Sequence, residues 1–250
     1  MTMQNNVDIV FRRKVRATWL EHGMALAAQG IPWNDAKPAL ADSVAAENPG
    51  TETIRKALEH IRRIWFDPPD NCAELHSTAL ILFQANDSPA TRTILNWGMA
   101  IAAYPFVGSA GEILGRLLKL QTQAHRTDVQ RRLREQYGDR EFVNRIARYT
   151  ISSFLDWRVI IETKPKGVYL SGKQATPKKP EQLAWLAEAL LISRGKTQMR
   201  LAELCNHPAL FPFALDKVNA AVLHNNTRLR VQRQSLDQES VYLTATPSRK

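Results

Sequence analysis

The chain has 250 residues, of which 44% are hydrophobic and 23% are charged. These proportions are typical of folded proteins and exclude a disordered tail or a long coiled coil. The net charge of +10 at pH 7, with an isoelectric point near 9.9, favours an anionic partner.

The first 107 residues are predicted to form a bundle of four or five helices. Apolar residues recur at three- and four-residue steps from Val10 onwards, and Gly30 with Pro32 ends this first helix. Further helices are predicted over residues 34–46, 51–65, 73–84 and 90–104.

One segment of this bundle needs a membrane test, because residues 93–111 carry no charge. Asn96, Pro105 and three glycines dilute its hydropathy, and a proline interrupts a regular helix. A buried helix over residues 90–104, followed by a turn, is therefore preferred to a bilayer span, and no membrane partner is predicted.

Residues 108–172 follow a different order, with three helices and then a β-hairpin. The helices are predicted over residues 111–123, 127–137 and 139–155, and β-rich runs at residues 158–162 and 167–170 form the hairpin. This is the order of a winged helix-turn-helix.

The same order is predicted to recur after a polar linker at residues 173–180. Helices over residues 181–193, 197–206 and 215–224 precede a hairpin that pairs residues 228–233 with 239–244. The predicted fold is therefore mainly α: an N-terminal helical bundle (1–107), then two winged helix-turn-helix modules with small β-hairpin wings (108–172 and 181–246).

The positive charge is not spread evenly over these regions. Residues 1–107 hold 10 basic and 11 acidic side chains, residues 108–172 hold 12 and 7, and residues 173–250 hold 12 and 6. The whole excess lies in the predicted winged helices, which predicts that they bind a polyanion while the bundle has another task.

The third helix of a helix-turn-helix lies in the major groove, so its outward side chains are the main candidates for DNA contact. Basic side chains near the second helix and on the wings are candidates for phosphate contact. The predicted DNA-binding residues are Arg126, Arg131, Arg140, Asn144, Arg145, Arg148, Lys164, Lys166, Arg228, Arg230 and Arg233. The alternatives are a solvated basic helix and, for the hairpins, charges that protect an exposed strand edge.

Signatures of catalysis and of metal binding are absent from the sequence. Gly108, Gly111 and Gly115 follow no predicted strand, so they indicate close helix packing rather than a phosphate-binding loop. The two cysteines and their nearby histidines match no common zinc module, and the cysteine count favours a reducing, cytoplasmic compartment. The chain also begins without the layout of a cleaved secretory signal. We therefore predict a non-enzymatic protein with no cofactor and no metal ion.

Two stretches carry a resemblance to a known family: residues 95–106 (LNWGMAIAAYPF) and residues 154–160 (FLDWRVI). Together with the helical start and the first predicted winged helix, they give a layout over residues 1–170 that resembles BrxA-type proteins of BREX phage-defence systems. The resemblance implies a helical, non-catalytic accessory that binds double-stranded DNA beside other subunits of a defence complex. The second predicted winged helix departs from that layout.

Two further functions fit the same elements. A winged-helix transcriptional regulator would dimerise through the N-terminal bundle and prefer a palindromic operator. A protein-docking subunit would use its winged helices for protein contacts and would show no salt-sensitive DNA binding.

Overall fold

The computed structural model describes residues 10–47, 50–138, 140–215, 219–224, 226–235 and 238–244. In these ranges the chain is mainly helical and contains two small antiparallel sheets of three strands each, which confirms the predicted mainly α class. None of the helices described has both the length and the apolar character that crossing a bilayer requires.

Five helices form the N-terminal bundle. They are α1 (Ala17–Ala28), α2 (Trp33–Ala45), α3 (Thr51–Trp65), α4 (Ala73–Ala85) and α5 (Pro89–Ala103). The predicted bounds of the last four are confirmed to within one residue, because each helix begins or ends at a local signal. Ser88 caps α5 by accepting a hydrogen bond from the Thr91 backbone N–H, and the prolines after Trp65 end α3.

The next helix, α6 (Pro105–Gln121), begins six residues before its predicted start. Tyr104 is extended (φ −130°), so the chain breaks there, and Pro105 then takes the first helical position, where its missing N–H costs no hydrogen bond. The boundary predicted between residues 107 and 108 therefore falls inside α6. The prediction of close packing at the glycines is confirmed, since a Cβ on Gly115 would lie 1.9 Å from the carbonyl oxygen of Pro208.

A first unit, from α6 to β3, contains the first sheet. After α6 come β1 (Ala124–His125), α7 (Arg126–Tyr137), α8 (Glu141–Asp156), β2 (Ile160–Glu162) and β3 (Val168–Ser171). The strand order is β1-β3-β2, with Ala124 opposite Tyr169 and Ile161 opposite Leu170. The hairpin prediction is confirmed, while β1 is an addition because two residues give no periodic signal.

Residues 10–16, called here the N-terminal arm, correct the predicted first helix. They are non-helical and lie along α8. The Val15 N–H donates to Ser153 Oγ (2.8 Å), and Trp157 Nε1 donates to the Val15 carbonyl (2.9 Å). Because side chains of α8 satisfy the arm's backbone groups, the arm does not need helical hydrogen bonds despite its apolar spacing.

A second unit, from α9 to β6, contains the second sheet. Its elements are α9 (Pro180–Ser193), β4 (Gln198–Arg200), α10 (Leu201–Cys205), a 3-10 turn (Pro208–Leu210), α11 (Ala220–Leu223), β5 (Leu229–Ser235) and β6 (Gln238–Leu243). The strand order is β4-β6-β5.

Two helix predictions in the second unit need correction. The helix predicted over residues 197–206 begins instead as β4, because Met199 is buried opposite Val241 of β6. Of the helix predicted over residues 215–224, only Ala220–Leu223 is helical, and residues 216–218 lie outside the described residues.

The second unit is packed into the bundle rather than joined to it by a free linker. Trp185 of α9 is fully buried, and its Nε1 donates to the Leu75 carbonyl of α4 (2.9 Å). Within the predicted linker, the Ala175 N–H donates to the Pro212 carbonyl (2.9 Å). The buried apolar residues form one cluster that runs through the bundle and both units.

Candidate nucleic-acid interface

The outer face of α8 carries most of the predicted interface. The predicted buried stripe of this helix is confirmed, since Val143, Ile146, Ala147, Ile151 and Phe154 are all buried. The opposite face is therefore turned to solvent. It exposes Arg140, Arg145 and Arg148, whereas Asn144 is half-buried at its margin.

These three arginines have no carboxylate partner among the residues that the structure describes. The guanidinium carbon of Arg145 lies 5.6 Å from the ring centroid of Phe142, which is itself 41% exposed. Glu141 is also exposed in the first turn of α8, so this face carries one acid beside three cations. A net positive, solvent-facing helix surface results.

The two predicted residues of α7 are engaged within the protein. Arg126 donates through Nε to Tyr169 Oη (2.9 Å) and through Nη2 to Glu162 Oε1 (3.1 Å). These contacts tie the start of α7 to the hairpin and raise the pKa of Arg126. Arg131 lies between Glu135 (2.6 Å) and Asp128 (3.8 Å) on its own helix. The structure therefore compensates both charges with carboxylates of the protein.

The wing lysines lie where they are predicted. Lys164 and Lys166 are exposed in the turn that joins β2 to β3. Glu162 braces this turn because its Oε1 accepts the Gly167 N–H (2.8 Å). Gly167 has φ +87°, the left-handed conformation that favours glycine at this position. The turn therefore holds two cations toward solvent on a defined hairpin.

The prediction that places Arg228 on the surface is wrong. Its side chain is only 15% exposed and forms an ion pair with Glu188, which is fully buried on α9. Asn226 Nδ2 also donates to Glu188 (3.0 Å). Burial raises the pKa of Glu188, although Asn226 and Arg228 oppose that shift. Arg228 is thus the counter-ion of a buried carboxylate and joins the second hairpin to the core.

Arg230 and Arg233 stay exposed on β5, an edge strand of the second sheet. Arg230 lies opposite Tyr242 in the pairing with β6, and Arg233 lies opposite Glu239. The structure therefore places these two residues on a strand of the second sheet, whereas Arg145 and Arg148 lie on a helix of the first unit. They do not form part of the α8 surface.

Sequence reasoning missed Arg13 of the N-terminal arm. Its Nη1 donates to Tyr149 Oη of α8 (2.6 Å), and its guanidinium carbon lies 5.5 Å from the centroid of the Tyr149 ring. The signal in the sequence is four cations within residues 12–16. The cluster is predicted to lie in the first helix of the bundle, so its contact with α8 is not expected from the sequence.

The chemistry available at this surface is the binding of anions. Arginine guanidinium groups in an exposed row suit phosphate oxygens and the edges of guanine bases. In the described part of the chain, no three His, Cys, Asp or Glu side chains gather where they could hold a metal ion. No family model matches the chain, and neither a curated protein nor a solved structure matches it.

Proposed function

We propose that this protein binds double-stranded DNA through the outer face of α8, as a non-catalytic accessory subunit of a bacterial phage-defence assembly. The observation that carries the DNA-binding role is the exposure of Arg145 and Arg148 on one face of α8 and of Arg140 at its N-terminal cap, with no ion pair between any of the three and a described carboxylate. Uncompensated cations gain most from neutralising phosphates, because binding then releases the counterions condensed on DNA.

The order of elements in the first unit supports this role. Helix, strand, helix, helix and hairpin, with the strand order β1-β3-β2, is the order expected of a winged helix, in which the third helix enters the major groove. That groove is about 12 Å wide and admits an α-helix. In this interpretation α8 is the recognition helix and the β2–β3 hairpin is the wing.

The proposed contacts differ in the part of the duplex that they touch. Arg145 and Arg148 lie on the exposed face and reach phosphates or guanine edges, and Asn144 at its margin reaches an adenine edge. Lys164 and Lys166 at the tip of the wing contact phosphates beside the helix. The α8 face therefore supplies most of the affinity and any sequence preference, and the wing adds affinity alone.

The place in a defence complex rests on the BrxA-like layout of the bundle and first unit. In this proposal the bundle and the second unit contact other subunits or a second copy of the chain. The exposed arginines on α8 do not depend on that assignment, so DNA binding can be tested separately.

The test is fluorescence anisotropy of the full chain with a random-sequence 20-base-pair duplex, the matching single strand and an RNA hairpin, each over a salt series. We expect tight duplex binding whose log affinity falls linearly with log salt. The triple variant Arg140→Gln, Arg145→Gln, Arg148→Gln should make this negative slope shallower by about 2.7, since each lost phosphate contact removes about 0.9.

A matched control removes the same charge elsewhere. Arg55, Arg62 and Arg116 are exposed on α3 and α6 and pair with carboxylates of the protein. Their triple change to Gln should leave the slope unchanged. Equal affinity of the two triple variants would contradict the proposed site, and weak, flat binding of all three probes would favour the protein-docking function instead.

A further inference from the structure

The N-terminal arm continues the basic surface where the cations of α8 stop. Arg148 is the last basic residue of α8, and residues 149–156 include no Lys or Arg. Tyr149, the next residue, holds the guanidinium of Arg13 by the hydrogen bond to its Oη and by the ring beneath it. A cation from residue 13 thus stands next to the row formed by Arg145 and Arg148.

The arm also compensates the negative charge of Asp156 at the end of α8. Asp156 would repel phosphates at this end, but Lys14 Nζ lies 2.7 Å from its Oδ2 and Arg16 lies 4.0 Å from the same atom. The Ala17 N–H donates to Asp156 Oδ1 (2.9 Å). With Asp156 compensated, the C-terminal half of α8 no longer opposes a polyanion.

Arg13 differs from its neighbours in the arm because its charge has no carboxylate partner in the part of the chain that the structure describes. Lys14 and Arg16 are paired with Asp156 and Glu47, whereas the contacts of Arg13 are to the neutral Tyr149. Arg13 is partly exposed. A partly exposed guanidinium that is held in place by an uncharged side chain keeps its full charge for an external anion.

The arm is fixed against the fold at both ends. Near its start, the Arg12 N–H donates to Nε2 of the buried His60 (3.1 Å), and His60 Nδ1 lies 2.9 Å from Tyr104 Oη. Near its end, Ser153 and Trp157 hold Val15. A cation on such a fixed segment costs less ordering entropy on binding than one on a mobile tail.

We infer that the N-terminal arm is part of the DNA-binding surface, with Arg13 contacting a backbone phosphate next to the stretch of duplex read by Arg145 and Arg148. This inference rests on the proposed function of α8 and extends it to a segment distant in sequence. Arg13 acts on the phosphate directly, and Tyr149 is the residue that positions it.

The experiment compares Arg13→Gln with the unchanged full chain on the random duplex over a salt series. The loss of one phosphate contact should make the negative slope of log affinity against log salt shallower by about 0.9. It should weaken binding about fivefold at 0.15 M salt. Arg13→Lys keeps the charge and should retain the slope. Arg62→Gln is the matched control, because Arg62 also stacks on an aromatic ring, that of Trp33, but is paired with Asp67.

Tyr149→Phe tests the positioning role. It keeps the ring and removes the hydrogen-bond acceptor, so it should weaken binding by less than Arg13→Gln does. It should add no further loss when the two changes are combined, because residues that act through one contact are not additive. A purely structural role of Arg13 would lower the unfolding midpoint and leave the salt slope unchanged.

The outcomes separate this inference from the proposed function. If the unchanged protein shows only weak, salt-independent binding, the proposed function fails and the arm has no ligand. If it binds duplex and the α8 triple variant lowers the slope, but Arg13→Gln behaves like Arg62→Gln, then α8 is the interface and the arm is not part of it.

Discussion

The two units share an order of elements and use their basic residues in opposite ways. Both run helix, strand, helix, helix and hairpin, and both sheets place the first strand beside the last. In the first unit Arg145 and Arg148 of α8, and Arg140 at its N-terminal cap, face solvent and pair with no carboxylate in the described ranges. In the second unit Arg228 points inward to the buried Glu188.

The difference lies in the first helix of the second unit. Residues 182–191 of α9 are buried on every side, so this helix belongs to the common core. Its only buried carboxylate, Glu188, needs a counter-ion, and the start of the second hairpin supplies it. The cation at the start of the second hairpin is therefore paired with an acid of the core, whereas Lys164 and Lys166 of the first hairpin are exposed.

The largest effect expected from this comparison is on stability. Arg228→Met should destabilise the fold by about 3–5 kcal/mol, because it leaves the carboxylate of Glu188 buried without its partner. Arg230→Met, two residues further along the chain, should change the free energy of unfolding by no more than about 0.5 kcal/mol because Arg230 is exposed. Denaturant unfolding of both variants checks this, and equal losses would contradict the inward role of Arg228.

The next effect concerns His60, the buried histidine that holds the N-terminal arm. Burial, reinforced by Arg12, Lys56 and Arg63, lowers the pKa of His60 from 6.5 to about 3. The unfolded chain therefore binds the extra proton first, and stability that is fully present above pH 6.5 is lost as the pH falls toward 3. Between pH 7.5 and pH 4.5 this loss should reach roughly 2–3 kcal/mol.

His60→Gln is the variant that isolates this contribution. Its own stability differs from that of the unchanged protein, so the quantity to compare is the change in unfolding free energy between the two pH values. That change should be smaller in the variant by roughly 2–3 kcal/mol. The same acid sensitivity in both proteins would mean that another group carries it.

A third prediction compares equal charge changes on the two units. Arg145→Gln with Arg148→Gln should weaken duplex binding about 30-fold at 0.15 M salt, as expected for two lost phosphate contacts. Arg230→Gln with Arg233→Gln removes the same charge from β5 and should weaken binding less than about threefold, an effect of general charge only. Anisotropy titrations at several salt concentrations decide the matter, and similar losses would place both units on the DNA.

The smallest effect is expected at the wing. Lys164→Gln with Lys166→Gln should weaken binding by about fivefold, because lysines at the tip of a turn contact phosphates as flexible point charges. The loss should be the same for duplexes of different sequence, since phosphates carry no sequence information. Titration against several unrelated duplexes tests this, and a loss confined to some sequences would show that the wing reads bases.

The parts of the fold that sequence predicted correctly are those with local signals. The bounds of α3 and α5 follow from apolar periodicity, prolines and a serine cap, and both hairpins follow from β-rich runs around turns. The strands β1 and β4 escaped prediction because they hold only two and three residues and exist through pairing with partners that are 40 or more residues away. The arm escaped because its hydrogen bonds are made to α8.

In the candidate site, too, the sequence predicts the features with local signals and misses those that depend on distant partners. The exposed row of Arg145 and Arg148 follows from the helical period, because the apolar stripe on α8 fixes the opposite face. The sequence could not indicate that Arg126 bonds Tyr169 or that Arg228 meets Glu188, since these partners are 43 and 40 residues away.

The sequence by itself determined the mainly helical class, the bounds of most helices, the two hairpins and the uneven distribution of charge. Those properties depend on local periodicity, caps and composition. The tertiary structure alone decided which cations pair with a carboxylate, because the availability of a charge depends on whether a distant carboxylate lies within a few ångströms of it. It also decided that a segment at residue 13 stands beside α8, a contact made across 136 residues of chain.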